Sequence, residues 1–381
     1  MMLEVTMRLR RERLLLARLF RDASAIVTIA MLGACSQSPT DAGSDGIVRW
    51  TRASPTAPAF ASFPRLAVSD SVLFIGYPTL LIAVRARDGR TLWQRSDVPS
   101  IIPVAFGDSV VAVVSAGTSV GLRQATGATL WSRQVPGERS TVPPVMVAGH
   151  AVFNTLDGTL WAVEGLSGTV RRLASTLQLA DTVGAGVWSI AVIGDTVVVF
   201  LQIDTPVGET GAFVVTRVHL PSSTVVSRSR IRREEGEFGS NRRMVVQDSV
   251  AVLPINGCAV GVDARTGRRL WTRCINIGQV SLRDGVLFAT SGSGELFVLE
   301  PLTGRIVRRL DMRVTSPFDQ FPCREGIVFV NGGMQIVQNQ DGARSRDINR
   351  TTDFDGYVGL VRNGTTLFAH GEQSMTALRC N

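Results

Sequence analysis

One signal recurs eight times along the chain: a polar turn followed by a short β run. It begins at Asp70-Ser71-Val72, Asp108-Ser109-Val110, Gly149-His150-Ala151, Asp195-Thr196-Val197, Asp248-Ser249-Val250, Asp284-Gly285-Val286, Glu325-Gly326-Ile327 and Asn363-Gly364-Thr365. The intervals are 38, 41, 46, 53, 36, 41 and 38 residues, the spacing of propeller blades rather than of short solenoid coils. Within an interval the order repeats: a turn, an alternating strand such as Leu296-Phe297-Val298-Leu299, a tight Gly turn, then a strand that often carries Trp. The expected fold is an all-β β-propeller of about eight four-stranded blades; a seven-bladed ring with one degenerate unit is the alternative.

One spacing is specific. Gly89 precedes Trp93 by four residues, Gly127 precedes Trp131, Gly267 precedes Trp271, and ahead of the first full repeat Gly46 precedes Trp50. The Gly suits a turn needing positive φ, and the Trp then has a fixed place on the next strand, where it can pack against the adjacent blade. Ile47–Arg52 therefore reads as an orphan fourth strand. The eighth repeat stops at Cys380-Asn381, where its own fourth strand is due, so the N-terminal strand is expected to complete the last blade and close the ring.

The formal charge of +8 is carried by 40 basic residues, all of them Arg. Arg8, Arg10, Arg11, Arg13, Arg18 and Arg21 lie near the N-terminus, and the others alternate with acids, so a clustered nucleic-acid face is not expected. The arginines read as a solvated surface. After the basic segment come a short apolar stretch, Ala23–Leu32, and Leu32-Gly33-Ala34-Cys35. That stretch is too short to span a bilayer and fits the apolar part of a signal peptide, with Met1 or Met7 as the start.

Four cysteines besides Cys35 suit an oxidising compartment. Cys258 and Cys274 are equidistant from Thr266 in a Gly turn, so they face each other across two strands and could form a disulfide; two free thiols are the alternative. Cys323 and Cys380 pair only by elimination. His150, His219 and His370 have no partners at metal-ligand spacing. There is no Gly-x-Ser-x-Gly, phosphate loop or Lys, and Gly292-Ser293-Gly294 reads as a hairpin turn. No catalytic, cofactor or metal residues are expected.

The runs Val262-Asp263-Ala264-Arg265-Thr266-Gly267-Arg268-Arg269-Leu270-Trp271 and Ala83–Trp93 resemble the PQQ-type β-propeller repeat, shared by quinoprotein dehydrogenases and BamB-like outer-membrane assembly lipoproteins. The resemblance covers nearly all of residues 46–381 and is weakest in repeats 4 and 7, with Ser223 where a turn Gly is due. Leu32–Cys35 resembles a lipobox, which implies lipidation of Cys35, a signal peptide over 1–34, a tether over 35–45, and export to the outer membrane facing the periplasm. The BamB-like resemblance implies a non-enzymatic scaffold with a protein partner, in membrane contact through the lipid. The alternative it implies is a PQQ-binding quinoprotein oxidoreductase with calcium and a catalytic Asp; the adjacent cysteines that cover the cofactor in the alcohol dehydrogenases are missing. A ligand- or glycan-binding propeller is a third reading. The 53-residue interval of repeat 4 holds a charged stretch with Arg230, Arg232, Arg233, Arg242 and Arg243, the candidate partner-binding loop; a solvated insertion is its plain alternative.

Overall fold

The computed structural model of the protein describes residues 40–41, 48–53, 65–77, 80–98, 103–107, 109–113, 117–138, 140, 142–182, 185–203, 212–232, 244–255, 257–283, 285–291, 293–311, 319–323, 326–330, 334–338, 345–349, 359–370 and 374–380. The chain divides into Met1–Thr40 and Asp41–Asn381, and every strand from Val48 onward belongs to the second unit.

It is an all-β propeller. Seven sheets are four-stranded antiparallel meanders, numbered here in chain order. Sheet 1 runs from Arg65 to Arg95, sheet 2 from Pro103 to Val135, sheet 3 from Val145 to Ala174, and sheet 4 from Ala185 to Arg232. Sheet 5 runs from Val245 to Cys274, sheet 6 from Ile277 to Asp311, and sheet 7 from Asp319 to Asn349. The four-stranded blade is thus realised seven times, not eight. The remaining sheet is a composite of both chain ends: Val48–Ala53 pairs with Ser374–Arg379, followed by Thr366–His370 and Gly359–Asn363, and Thr40–Asp41 makes it five-stranded. Trp50 stands opposite Ala377 there.

First strands of neighbouring sheets lie side by side, including Gly359–Asn363 beside Arg65–Val68. The apolar clusters lie between sheets. Phe74, Leu81 and Ala83 of sheet 1 meet Val111, Val113 and Leu122 of sheet 2, while Leu73, Ile75 and Ile82 on its other face meet Trp50, Phe368 and Ala377. Every residue of Val72–Tyr77 is buried for this reason: side chains alternate faces along a strand, and both faces are covered.

One element departs from the all-β expectation. A short helix, α1 (Thr176–Ala180), links sheets 3 and 4. Ser175 and Gln178 form a capping box at its start, satisfying helix N–H groups that would otherwise lack partners. Leu179 and Ala180 are buried in the cluster shared by sheets 3 and 4.

In each sheet the first-to-second and third-to-fourth turns share one end of the ring, here the turn end. The second-to-third hairpins and the links between sheets share the other, here the linker end.

Candidate functional site

The Gly-x-x-x-Trp spacing builds the joints between sheets. Each such Trp lies on a fourth strand and donates its indole N–H to a backbone carbonyl in the next sheet: Trp50 to Ala86 (3.0 Å), Trp93 to Gln124 (2.6 Å), Trp131 to Gly165 (2.9 Å) and Trp271 to Pro301 (2.9 Å). Beneath the ring lies a positive-φ glycine of that same next sheet. A Cβ on Gly89 would sit 2.8 Å from Trp50, on Gly127 2.8 Å from Trp93, and on Gly168 or Gly304 2.4 Å from Trp131 or Trp271. In its own sheet the Trp stands opposite a small residue: Ala377 for Trp50, Ala83 for Trp93, Gly121 for Trp131 and Gly261 for Trp271. Gly267 closes on Ser229, because sheet 4 has no Trp on its fourth strand.

An Arg two residues past each Trp completes the joint, a signal that the sequence reading passed over. Arg52 donates to the Gly89 carbonyl (2.9 Å), Arg95 to that of Gly127 (2.6 Å), Arg133 to that of Ser167 (3.3 Å) and Arg273 to that of Gly304 (2.8 Å). Arg171 does the same for Pro221 and Leu220, both at 2.8 Å. The planar guanidinium, with five donors, suits this clamping better than an ammonium. These arginines are therefore joint-makers rather than the merely solvated surface expected.

At the linker end the structure has a cavity of about 320 Å³. Val142, Pro143, Pro144 and Val145 come from the approach to sheet 3, Val187 to Ile190 from the first strand of sheet 4, Met244 from the start of sheet 5, and Arg65 from sheet 1. A β-bulge between Val187 and Ser189 leaves Trp188 as the extra, unpaired residue of its strand, the device by which strands re-aim a side chain. The Ser189 hydroxyl accepts from the Met244 N–H at 2.8 Å and fixes the two strands at the cavity wall. Most lining side chains are apolar, with one indole and one guanidinium, but backbone groups and Arg65 make the surface mixed, which suits a side chain with an apolar body carried near an anionic group.

In sequence the candidate loop lies between sheet 4 and a residue of this site. Segment 233–243 connects Arg232 at the end of sheet 4 to Met244 in the cavity wall, and 204–211 also leaves sheet 4 at the linker end. Arg230 is exposed on the fourth strand of sheet 4, and the backbone of Arg232 ends that strand. Arg233, Arg242 and Arg243 lie outside the described residues, as do Gly46 and Cys35.

Cys258 and Cys274 stand directly opposite each other and are joined, with a Cα separation of 4.0 Å, at the linker end. Cys323 and Cys380 are also joined, at 4.8 Å, within the cluster between sheet 7 and the composite sheet. The three histidines stand apart. His150 contacts the Ala148 carbonyl (2.8 Å), His219 lies between Asp195 (3.1 Å) and Ser222 (2.7 Å), and buried His370 bonds Tyr77 (2.7 Å). Two turn carboxylates are held below their usual range: Asp263 by the Thr266 N–H, with help from that of Arg265, and Asp157, despite opposing burial, by Thr155 and Thr159.

The lining side chains include no carboxylate or amide to ligate the divalent cation that would hold a quinone: they offer one hydroxyl, an indole N–H, a thioether, a guanidinium and hydrocarbon. Among the described residues no three His, Cys, Asp or Glu side chains are grouped to hold a metal.

The sequence model of a family described as outer membrane protein assembly factor BamB matches residues 79–310 and 256–353. Among solved structures, BamB from Moraxella catarrhalis is similar with 16% identity and a TM-score of 0.51, over 85% of this chain and 84% of that one. The computationally designed Ika8 protein is similar at 15% identity and TM-score 0.64, over 84% and 96%. Quinohemoprotein alcohol dehydrogenase ADHIIG from Pseudomonas putida HK5 is similar at 11% identity and TM-score 0.62, over 88% and 76%. No curated protein sequence matches the chain significantly. At these identities the solved structures speak for the fold alone.

Proposed function

The chain belongs to the family of the outer membrane protein assembly factor BamB, and from that premise we propose that it is a non-enzymatic scaffold that docks a protein partner in outer-membrane β-barrel assembly. The observation that carries this reading is the convergence at the linker end. The strand ends that bound the two long connections of sheet 4, Ile203, Ala212 and Arg232, and the cavity walled by Trp188 and Met244 lie at the same end of the ring. Loops on a rigid scaffold are where recognition concentrates. A pocket walled by Trp188 and Met244 and bearing Arg65 suits a protein hot spot: a buried apolar or aromatic side chain with a carboxylate beside it.

The composite sheet acts in this reading as the eighth blade, closing the ring with Val48–Ala53. The two disulfides accord with an exported protein. Lipidation of Cys35 would hold the scaffold at the outer membrane facing the periplasm. The oxidoreductase alternative rests on the PQQ-type repeat alone, and the lack of a carboxylate among the cavity's lining side chains weighs against it.

The test is a mild-detergent pull-down of the full chain beside two variants: Trp188→Ala, and residues 233–243 replaced by a Gly/Ser linker of equal length. Ile231 and Met244 are left in place because both are buried. Enrichment of an outer-membrane assembly protein by the parent, lost in both variants while the circular dichroism is unchanged, is the expected result. Equal recovery by all three overturns the site, and a purified protein that retains a quinone overturns the scaffold reading.

A further inference from the structure

At the turn end, opposite the cavity, six of the fourth strands share a second irregularity, while in sheets 3 and 7 the shift falls at the other end. The register shifts one residue before each repeat Trp, at the positions of Arg49, Leu92, Leu130 and Leu270, and the same bulge falls at Val226 in sheet 4 and Val307 in sheet 6. A bulge leaves its extra residue unpaired and breaks up an edge that would otherwise pair with another chain. Charge is the usual means of blunting an edge, yet Leu130, Val226, Leu270 and Val307 are apolar, and all four are exposed.

Among the described residues, four of the ten large exposed apolar side chains lie where sheets 5 and 6 meet. Leu270 is 36% exposed, Leu302 55%, Ile306 40% and Val307 57%. Trp271, beside Leu270, holds this joint together through the Pro301 carbonyl and Gly304, so the four positions border a single turn-end rim. The same two segments, 263–273 and 300–309, carry seven arginines, of which Arg273 is held by the Gly304 carbonyl, Arg305 pairs with Glu300 and Arg309 pairs with Glu295. Asp263 accepts from the N–H groups of Arg265 and Thr266, which leaves the side chains of those turn residues facing solvent. Arg265, Arg268, Arg305 and Arg309 are exposed.

We propose that this rim is a peripheral membrane contact, seated on an anionic lipid surface with Leu302, Ile306 and Val307 entering the headgroup boundary and the arginines meeting lipid phosphates. Apolar side chains flanked by cations are the combination that binds such a surface, through buried apolar area and attraction to anionic headgroups together. A protein partner would need carboxylates placed to match Arg265 and Arg268 beside an apolar knob, whereas an anionic bilayer presents both requirements everywhere along its plane. The contact places the cavity end away from the lipid, free to meet a partner, and does not depend on the scaffold reading.

The test is co-sedimentation of the full chain with vesicles of phosphatidylcholine alone and with phosphatidylglycerol added. All proteins carry Cys35→Ser, so that no acyl chain contributes. Leu302→Ser with Val307→Ser is one variant and Arg265→Gln with Arg268→Gln the other. Near-ultraviolet circular dichroism checks the fold of these surface changes. Binding to the anionic vesicles should fall about tenfold in each variant, with little binding to phosphatidylcholine in any of them. Variants that bind like the parent, or a parent that binds both vesicles equally, would overturn the proposal. So would self-association in ultracentrifugation that the apolar variant abolishes, which would make a second copy the occupant.

Discussion

Replacing Gly168 by alanine should destabilise the ring by about 3 kcal/mol, while the same change at Gly194 should cost about 1 kcal/mol. Both glycines have positive φ, +70° and +58°, so each pays roughly 1–2 kcal/mol for a left-handed alanine, less about 0.4–1 kcal/mol from a stiffer unfolded chain. They differ in what a Cβ would meet. At Gly194 there is nothing within 4 Å; at Gly168 the new carbon would lie 2.4 Å from Cδ2 of Trp131, against the ordinary contact of about 3.5–4.0 Å. Trp131 is buried between its own sheet and sheet 3 and cannot swing into solvent without losing that packing. A shift of an ångström also stretches its 2.9 Å bond to the Gly165 carbonyl, which contributes about 1 kcal/mol. Overpacking adds another 1 kcal/mol or so. In scanning calorimetry a chain of this length moves by about 1 °C per kcal/mol, so the midpoints should fall by about 3 °C and 1 °C. In a Trp131→Ala background the two costs should become equal. Equal costs in the wild-type background would refute the reading of Gly168 as the seat of a neighbouring blade's Trp.

Ser223 holds φ +54° where the other sheets have glycine, and its buried hydroxyl has no hydrogen-bond partner, so Ser223→Gly should raise stability by about 1 kcal/mol in the same calorimetric comparison. Opening the disulfides should cost about 3 kcal/mol for Cys258–Cys274, separated by 16 residues, and about 4 kcal/mol for Cys323–Cys380, separated by 57; paired Cys→Ser variants and thermal unfolding measure both. Asp263 has a lowered pKa in the folded state, so its contribution is complete above the unfolded carboxylate value of about 3.9 and is lost as pH falls through the lower folded value. Asp263→Asn should therefore flatten the acid limb below about pH 4 and bring the variant's midpoint closer to that of the parent there.

Much of this architecture is written in short spacings. Gly-x-x-x-Trp predicts a turn and a strand, and the structure adds that the glycine of one sheet supports the Trp of the sheet before it. A one-dimensional pattern cannot carry that offset, since it depends on how successive sheets face one another. The same limit explains Trp188, which follows Gly184 by four but lies on a first strand at a cavity, because a bulge re-aims it. The cysteine pairing at 258 and 274 was legible because antiparallel strands place residues equidistant from a turn opposite each other. Pairing of Cys323 with Cys380 depends on contact between two sheets 57 residues apart, which no local pattern encodes. Helix α1 left a trace in Ser175-x-x-Gln178, too short to outweigh the strand signals around it. The cavity was not legible, because residues from four sheets line it and none belongs to the repeat motif.

The sheet that holds both chain ends sets the order in which the molecule can mature. With the composite sheet closing the ring as proposed, Val48 finds Leu378 only after every intervening blade has been made, so the ring stays an open crescent throughout synthesis. Until Ser374–Arg379 arrives, two sheet edges lie bare, one at each horn of the crescent, and the loop to be closed is the longest in the protein. A nonsense change within the last dozen codons would spare nearly all of the core yet leave the crescent permanently open. Moving the chain ends to a connection between two middle sheets would let the composite sheet form early and pass the last seam to a different pair of blades.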